Sequence, residues 1–250
     1  MMQIEGLRKQ FGSVVAVDDI SLNVHRSEIL AFLGQNGAGK STTIKMLTTL
    51  LRPSGGQILI NGCDPNRQAN LVRRSLGIVF QERSLDEELT PMENMELHCA
   101  LHGMTRADSG TRIHRMLELV GMWSSRGRKL DELSGGMKRR LEIARGMLHS
   151  PRILILDEPT LGLDAHTRNS IWEFVEVLSR TEGVTVFFTT HYLEEAERHA
   201  HRVVIIDKGK IVAQGTPAEL KRKTGSLSLE GSYLNLTRDE ESVDSRVSSL

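Results

Sequence analysis

EILAFLGQNGAGKSTTIKML, residues Glu28 to Leu47, decides the fold. An apolar run ends at Gly34, Gly34 to Ser41 satisfy GxxxxGK[ST] in full, and Ile44 and Leu47, with Leu51 beyond, continue at helical spacing. Strand, glycine-rich turn and helix in that order form a phosphate loop. Its glycines turn backbone N–H groups toward a β-phosphate, and the helix N-terminus adds a favourable dipole. In this reading Gly34, Gln35, Asn36, Gly37, Ala38, Gly39, Lys40, Ser41 and Thr42 surround the phosphates of a nucleotide. Lys40 reaches the β- and γ-phosphates, and Ser41 gives an oxygen to Mg2+.

Two further apolar runs, RILILDE (Arg152 to Glu158) and VTVFFTTH (Val184 to His191), have the same character as the first. Short continuous apolar runs suit parallel strands covered on both faces, with functional residues at their carboxyl ends. Asp157 and Glu158 stand at one such end. Two adjacent acids there are costly unless a cation or polar chemistry engages them. Asp157 is therefore assigned to the metal, and Glu158 to orienting the water that attacks the γ-phosphate.

A second glycine stretch, LSGGMKRRLEIARG from Leu133, reads as another helix start, with Ser134 as N-cap and Met137, Leu141, Ala144 and Leu148 on the buried stripe. One nucleotide is not easily held by two helix N-termini of one α/β core. A head-to-tail dimer resolves the conflict: Ser134, Gly135 and Gly136 of one subunit close over the γ-phosphate held by the other. The basic trio Lys138, Arg139 and Arg140 reads as the exposed side of this helix. His98 and His102, at i and i+4, have no evident third ligand and read as a solvated face.

The remaining organisation follows from patterning. MQIEGLRKQF and VVAVDDISLNVH alternate as antiparallel strands, joined by GGQILINGCD, and make a β rim. Helical periodicity between about Arg83 and Ser134, broken at LTPMEN and HGMTRADSG, marks a helical insertion. The expected fold is α/β: a three-layer P-loop NTPase core with an antiparallel β rim and an inserted helical subdomain at about 83–150. The ATP-binding domain spans 1–220, and 221–250 is a short, serine-rich and charged tail, partly disordered, in which Leu227, Leu229, Tyr233, Leu234 and Leu236 can dock a segment.

The 32 basic and 32 acidic residues of this 250-residue chain cancel, so no global field favours nucleic acid, and none is expected as a partner. Cys63 and Cys99 stand far apart, as free thiols do in a reducing compartment. No apolar run approaches the roughly 18 residues needed to span a bilayer, so a spanning role would fall to another chain.

Taken in order, GQNGAGKST, Gln81 in GIVFQE, LSGGMKRRLEIARG, ILILDEPTLGLD and His191 in FFTTHYLEEAE resemble the complete motif series of an ABC-family ATP-binding subunit, over essentially residues 2–220. The resemblance implies that Gln81 contacts magnesium and the attacking water, that His191 senses the γ-phosphate, that Asp164 communicates across the dimer, and that Phe11 stacks on adenine where many relatives have tyrosine. It further implies ATP and Mg2+ as cofactors, a second ATP-binding subunit (a homodimer), and a polytopic membrane permease. The chain would then be cytoplasmic, peripheral on the cytoplasmic face of the membrane. Within the family it is similar to the daunorubicin-resistance and nodulation-exporter type, whose usual methionine stands at Met137. Export of drug, lipid or polysaccharide is the expected function, and a soluble ABC ATPase of ribosome, DNA repair or cofactor assembly is the alternative. Ser27 departs from the glycine that often precedes the glutamate.

Overall fold

The computed structural model describes residues 1–237. In chain order the elements are β1 (Met2–Phe11), β2 (Val14–Val24), β3 (Ile29–Leu33), α1 (Lys40–Leu47), β4 (Gly55–Ile60), α2 (Ala69–Ser75), β5 (Leu76–Val79), α3 (Pro91–Leu101) and α4 (Arg106–Leu119). They continue with α5 (Gly135–Gly146), β6 (Ile153–Asp157), α6 (Ala165–Glu182), β7 (Thr185–Thr190), α7 (Leu193–His199), β8 (Arg202–Asp207), β9 (Lys210–Gly215), α8 (Pro217–Thr224) and α9 (Leu229–Leu236).

Strands β5, β6, β7, β3, β8 and β9 form one sheet in that order, parallel except for β9, and β2, β1 and β4 form a separate antiparallel sheet. The period-2 pleat of the buried strands divides the core. Ala31, Leu33, Leu154 and Leu156 face the layer that includes α5 and α6, while Leu30, Phe32, Ile153 and Ile155 face α1 and the antiparallel sheet. Three layers result, as the sequence implies. The helix after the phosphate loop is shorter than its periodicity suggests: α1 stops at Leu47, Thr49 turns with φ +67°, and Leu51 packs on the core from beyond the helix.

The breaks in the helical insertion prove to be start signals. Thr90 caps α3 in a reciprocal capping box with Glu93, with Pro91 in the first turn, and Thr105 caps α4 after Gly103 turns with φ +68°. Towards the C-terminus, Leu229 and Tyr233 of α9 are buried in the larger core cluster, Leu236 packs against it, Leu234 is half exposed, and Leu227 is fully exposed. The expected tail from residue 238 onward lies outside the described residues.

Register places the chemistry. Asp157 of β6 pairs with Thr189 of β7, and Leu33 of β3 pairs with Thr190, so the phosphate loop, the Asp-Glu pair and the segment ending in His191 leave adjacent strands at their carboxyl ends. No helix among the described residues is long and apolar enough to cross a membrane.

Candidate active site

A cavity of about 390 Å³ is lined by Gln35, Asn36, Gly37, Gly39, Lys40, Ser41 and Thr42 of the loop and α1, together with Ala16, Gln81, Glu158, Leu161 and His191. The loop follows its path because two of its glycines admit nothing larger. A Cβ on Gly39, whose φ is +107°, would lie 2.6 Å from the Ala16 carbonyl oxygen, and one on Gly34 would lie 2.5 Å from that of Ile206. Gly34 and Ala38 of the loop are buried and do not line the cavity.

Lys40 is 5% exposed; its ammonium donates to the carbonyls of Gly34 (2.7 Å) and Gln35 (3.1 Å) and lies 3.3 Å from Glu158 Oε1. The other Glu158 oxygen is 3.2 Å from His191 Nδ1. Lys40, Glu158 and His191 thus form a polar chain along one wall of the cavity. Glu158 holds φ +46°, a conformation costing a non-glycine residue roughly 1–3 kcal/mol and concentrated at functional sites.

Thr189 fixes the acid pair from beside it. Its hydroxyl donates to Asp157 Oδ1 at 2.6 Å and accepts from the Glu158 N–H at 3.0 Å. Burial lifts the Asp157 carboxyl above its ordinary value, and the neighbouring Glu158 charge adds to this; the Thr189 bond and the Lys40 and Arg139 charges act in the opposite sense. Ser41, Gln81 and Asp157 offer hydroxyl, amide and carboxylate oxygens, the hard donors that suit Mg2+. A bound cation would favour the charged carboxylate that burial disfavours. The donor set therefore fits the ion. A neighbouring acid, Glu195 of α7, accepts from Thr160 at 2.6 Å and from Thr190 at 3.2 Å, tying the segments after β6 and β7 together.

Arg139 is not on an exposed face. It is 7% exposed, and its guanidinium donates to the carbonyls of Phe80 (2.7 Å), Pro159 (2.8 Å) and Asp157 (3.2 Å) and to Glu142 Oε2 (3.0 Å). Three carbonyls from two distant segments converge there and supply the partners a buried guanidinium needs. Glu142 accepts from the Ser84 N–H at 2.7 Å, and Arg145 donates to the Ser84 carbonyl at 2.8 Å. One face of α5 therefore holds the segment carrying Gln81 at both ends.

The other expected residues lie elsewhere on the chain. Ser134 is exposed and caps α5, accepting from the Met137 N–H; Gly135 and Gly136 follow it, and none of the three lines the cavity. Gly136 is buried against α6, where a Cβ would sit 2.3 Å from Thr167 Cγ2. Asp164 caps α6 through the Thr167 N–H and hydroxyl, which hold its carboxyl below the usual range. Phe11 ends β1 half exposed, with the Lys9 ammonium 5.0 Å above its ring, and does not line the cavity. Sequence reasoning passed over Thr189 and misplaced Arg139. The signal for Thr189 was its position two residues before His191 on a strand beside β6.

Residues 17–161 match the sequence model of a family described as ABC transporter. The daunorubicin/doxorubicin resistance ATP-binding protein DrrA of Streptomyces peucetius is 43% identical over 90% of this chain and 68% of that protein. Nod factor export ATP-binding protein I of Cupriavidus pinatubonensis is 37% identical over 88% of this chain and 67% of its own length. A solved ATP-binding cassette, dimeric in a post-hydrolysis state with ADP and Pi, superimposes with a TM-score of 0.76 at 27% identity, covering 86% of this chain and 98% of that one.

Proposed function

This chain belongs to the ABC family of ATP-binding subunits, and on that premise we propose that its cavity binds Mg-ATP and that two copies close head-to-tail to hydrolyse it. The observation that carries the proposal is the division of the motifs. Lys40, Glu158, His191 and Gln81 share one cavity, while Ser134, Gly135 and Gly136 present a helix N-terminus outside it. A second copy brings that N-terminus to the first copy's γ-phosphate, and each chain completes the other's site.

Within the site, loop N–H groups and Lys40 hold the β- and γ-phosphates, with the γ-phosphate competing with Glu158 for the ammonium. Glu158, released toward the cavity, orients the attacking water, and His191 reads the γ-phosphate beside it. Ser41, Gln81 and Asp157 would hold Mg2+, which neutralises charge on the phosphates. Phe11 would stack on the base from the rim, and Asp164, next to the Gly136 contact, would lie at the dimer seam. Closure follows from differential binding, because only the closed pair satisfies the γ-phosphate from both sides. The domain performing this spans about 1–220.

The pair powers a separate polytopic permease from the cytoplasmic face of the membrane. The names of the similar drug-resistance and Nod factor export proteins support export of a drug, lipid or polysaccharide. Glu158→Gln tests the proposal: the variant should form a stable dimer by light scattering under saturating Mg-ATP, and a persistent monomer refutes closure. Tagged in its native cell and extracted gently from membranes with Mg-ATP, it should bring down a multi-spanning protein in stoichiometric amount. Recovery from the soluble fraction with ribosomes or nucleic acid would replace the transport reading.

A further inference from the structure

His98 and His102 acquire in the structure the partner that the sequence does not reveal. His149, in the turn between α5 and β6, lies against the end of α3, and all three side chains are half-buried. His98 Nε2 and His149 Nδ1 are 3.4 Å apart, and the three rings bring one ligand nitrogen each within 4.8 Å of one another. We propose that His98, His102 and His149 form a binding site for a divalent transition metal of the zinc class, separate from the nucleotide cavity and tying the end of α3 to the turn that leads into β6.

Three observations carry it. First, the spacing suits the ion. Nitrogens about 2.0–2.1 Å from a tetrahedral zinc lie roughly 3.3 Å from each other, which the His98–His149 pair already satisfies; the His102 ring is stacked on that of His149, centroids 3.9 Å apart and 16° between planes, and must swing out of that stack to supply the third corner. Second, the tautomer is set. His149 Nε2 lies 2.9 Å from the Leu76 carbonyl oxygen, which can only accept. The proton is therefore on Nε2, and the Nδ1 lone pair faces His98. A ligand histidine with its outer N–H on a backbone carbonyl is the usual outer support of metal sites.

Third, the surroundings select the type of metal. Arg145 lies near His98, Arg74 near His102 and Arg112 near His149; Arg112 is paired with Glu182, which also pairs with Arg115. Among the described residues the ligand group is three imidazoles with no carboxylate in it; imidazole suits Zn2+, Co2+, Ni2+ and Cu2+ rather than Mg2+ and Ca2+, which bind through oxygen. Burial, with lesser contributions from the neighbouring rings and cations, keeps His98 (down to about 3) and His149 (down to about 4) neutral, and His102 is lowered too. The fourth position opens toward a cavity of about 730 Å³ that His102 and His149 line together with Arg74, Asp108, Arg112 and Arg115. Water or a small anion completes the coordination there.

The test uses the untagged full chain. Zn2+ is titrated against a chromophoric chelator, and Co2+ is added separately to read its visible spectrum. One Zn2+ per chain and a tetrahedral Co2+ spectrum are expected. His102→Gln and His149→Gln should each weaken Zn2+ by at least about 100-fold, since even outer partners of a metal site are worth about 10–100-fold. Turnover of Mg-ATP in metal-chelated buffer should be unchanged in both variants, which shows that they are folded; if His149→Gln fails that control, His102→Gln decides alone. Zn2+ affinity equal in wild type and variant, or an octahedral Co2+ spectrum, overturns the site.

Discussion

Replacing Gly136 with alanine adds one methyl group at the point where α5 and α6 touch. That methyl would lie 2.3 Å from Thr167 Cγ2, well inside van der Waals contact, at a buried position. Thr167 cannot simply turn away: its hydroxyl donates to Asp164 at 2.6 Å, and another rotamer breaks the cap of α6. Overpacking of this kind costs about 1–3 kcal/mol, and the preference of a helix for alanine over glycine returns about 1 kcal/mol. A net loss of up to about 2 kcal/mol is expected. Gly135→Ala is the matched control, because its added methyl meets the far end of the flexible Arg83 side chain, at 3.2 Å, and Leu163 Cδ2 at an ordinary contact distance of 3.7 Å, and should be neutral or mildly stabilising. The assay is urea unfolding of the two variants in parallel, where a difference of about 0.5 M or more in midpoint is expected. Thr167→Ser removes the offending methyl and keeps the hydroxyl, so Gly136→Ala combined with Thr167→Ser should recover much of the loss, a coupling that a double-mutant cycle measures. Equal midpoints for the two alanine variants, or no recovery on adding Thr167→Ser, would refute the contact.

Three other outcomes follow from the site. Arg139→Ala leaves Glu142 and three carbonyls without their cation and should cost about 3–5 kcal/mol, read as a fall in thermal midpoint that Arg139→Lys recovers only in part. Thr189→Val removes the bond that counteracts burial of Asp157, so this carboxyl rises further and is charged only at higher pH. The acid limb of Mg-ATP turnover should then move to higher pH, native stability should fall as pH climbs through the raised value, and Thr189→Ser should restore the wild-type profile; an unmoved acid limb contradicts the role. Ser134→Arg should abolish turnover while equilibrium binding of ATP to the isolated chain stays nearly intact, and loss of that binding would place Ser134 in its own chain's cavity.

The layers of the fold were legible because each strand of the central sheet that carries a motif is a short, largely apolar and fully buried run that leads into it, so local pattern and function mark the same boundary. The hairpin of β8 and β9 was less visible. Its run RVVIID follows the helix α7 after only two residues, Ala200 and His201, and no motif marks it. Loop and strand-end residues such as Lys40 and Glu158 could be named since their chemistry is written in consecutive letters. Thr189 could not: its role comes from the register of β6 against β7, which pairs positions 32 residues apart. Arg139 was misread because a basic trio on a helix gives no sign of which member meets buried carbonyls. His149 stands 51 residues from His98, and only the packing of α3 beside the end of α5 makes them neighbours. Ser27, noted as a departure from glycine, holds φ +55°, a left-handed conformation in which glycine is unstrained.

The grip of α5 on the Gln81 segment has a consequence for timing. The helix that would present Ser134 to a facing chain is the helix whose Arg139, Glu142 and Arg145 hold residues 80 and 84, on either side of Gln81. In the proposed dimer, a push on its tip from across the seam would therefore be felt at the Gln81 segment. By thermodynamic reciprocity, whatever one nucleotide does to the affinity of the other is returned in equal measure. The two catalytic centres would then behave as a coupled pair whose turnover curve departs from a simple hyperbola. Loosening Arg139 should uncouple them, straightening that curve even in molecules that still bind ATP.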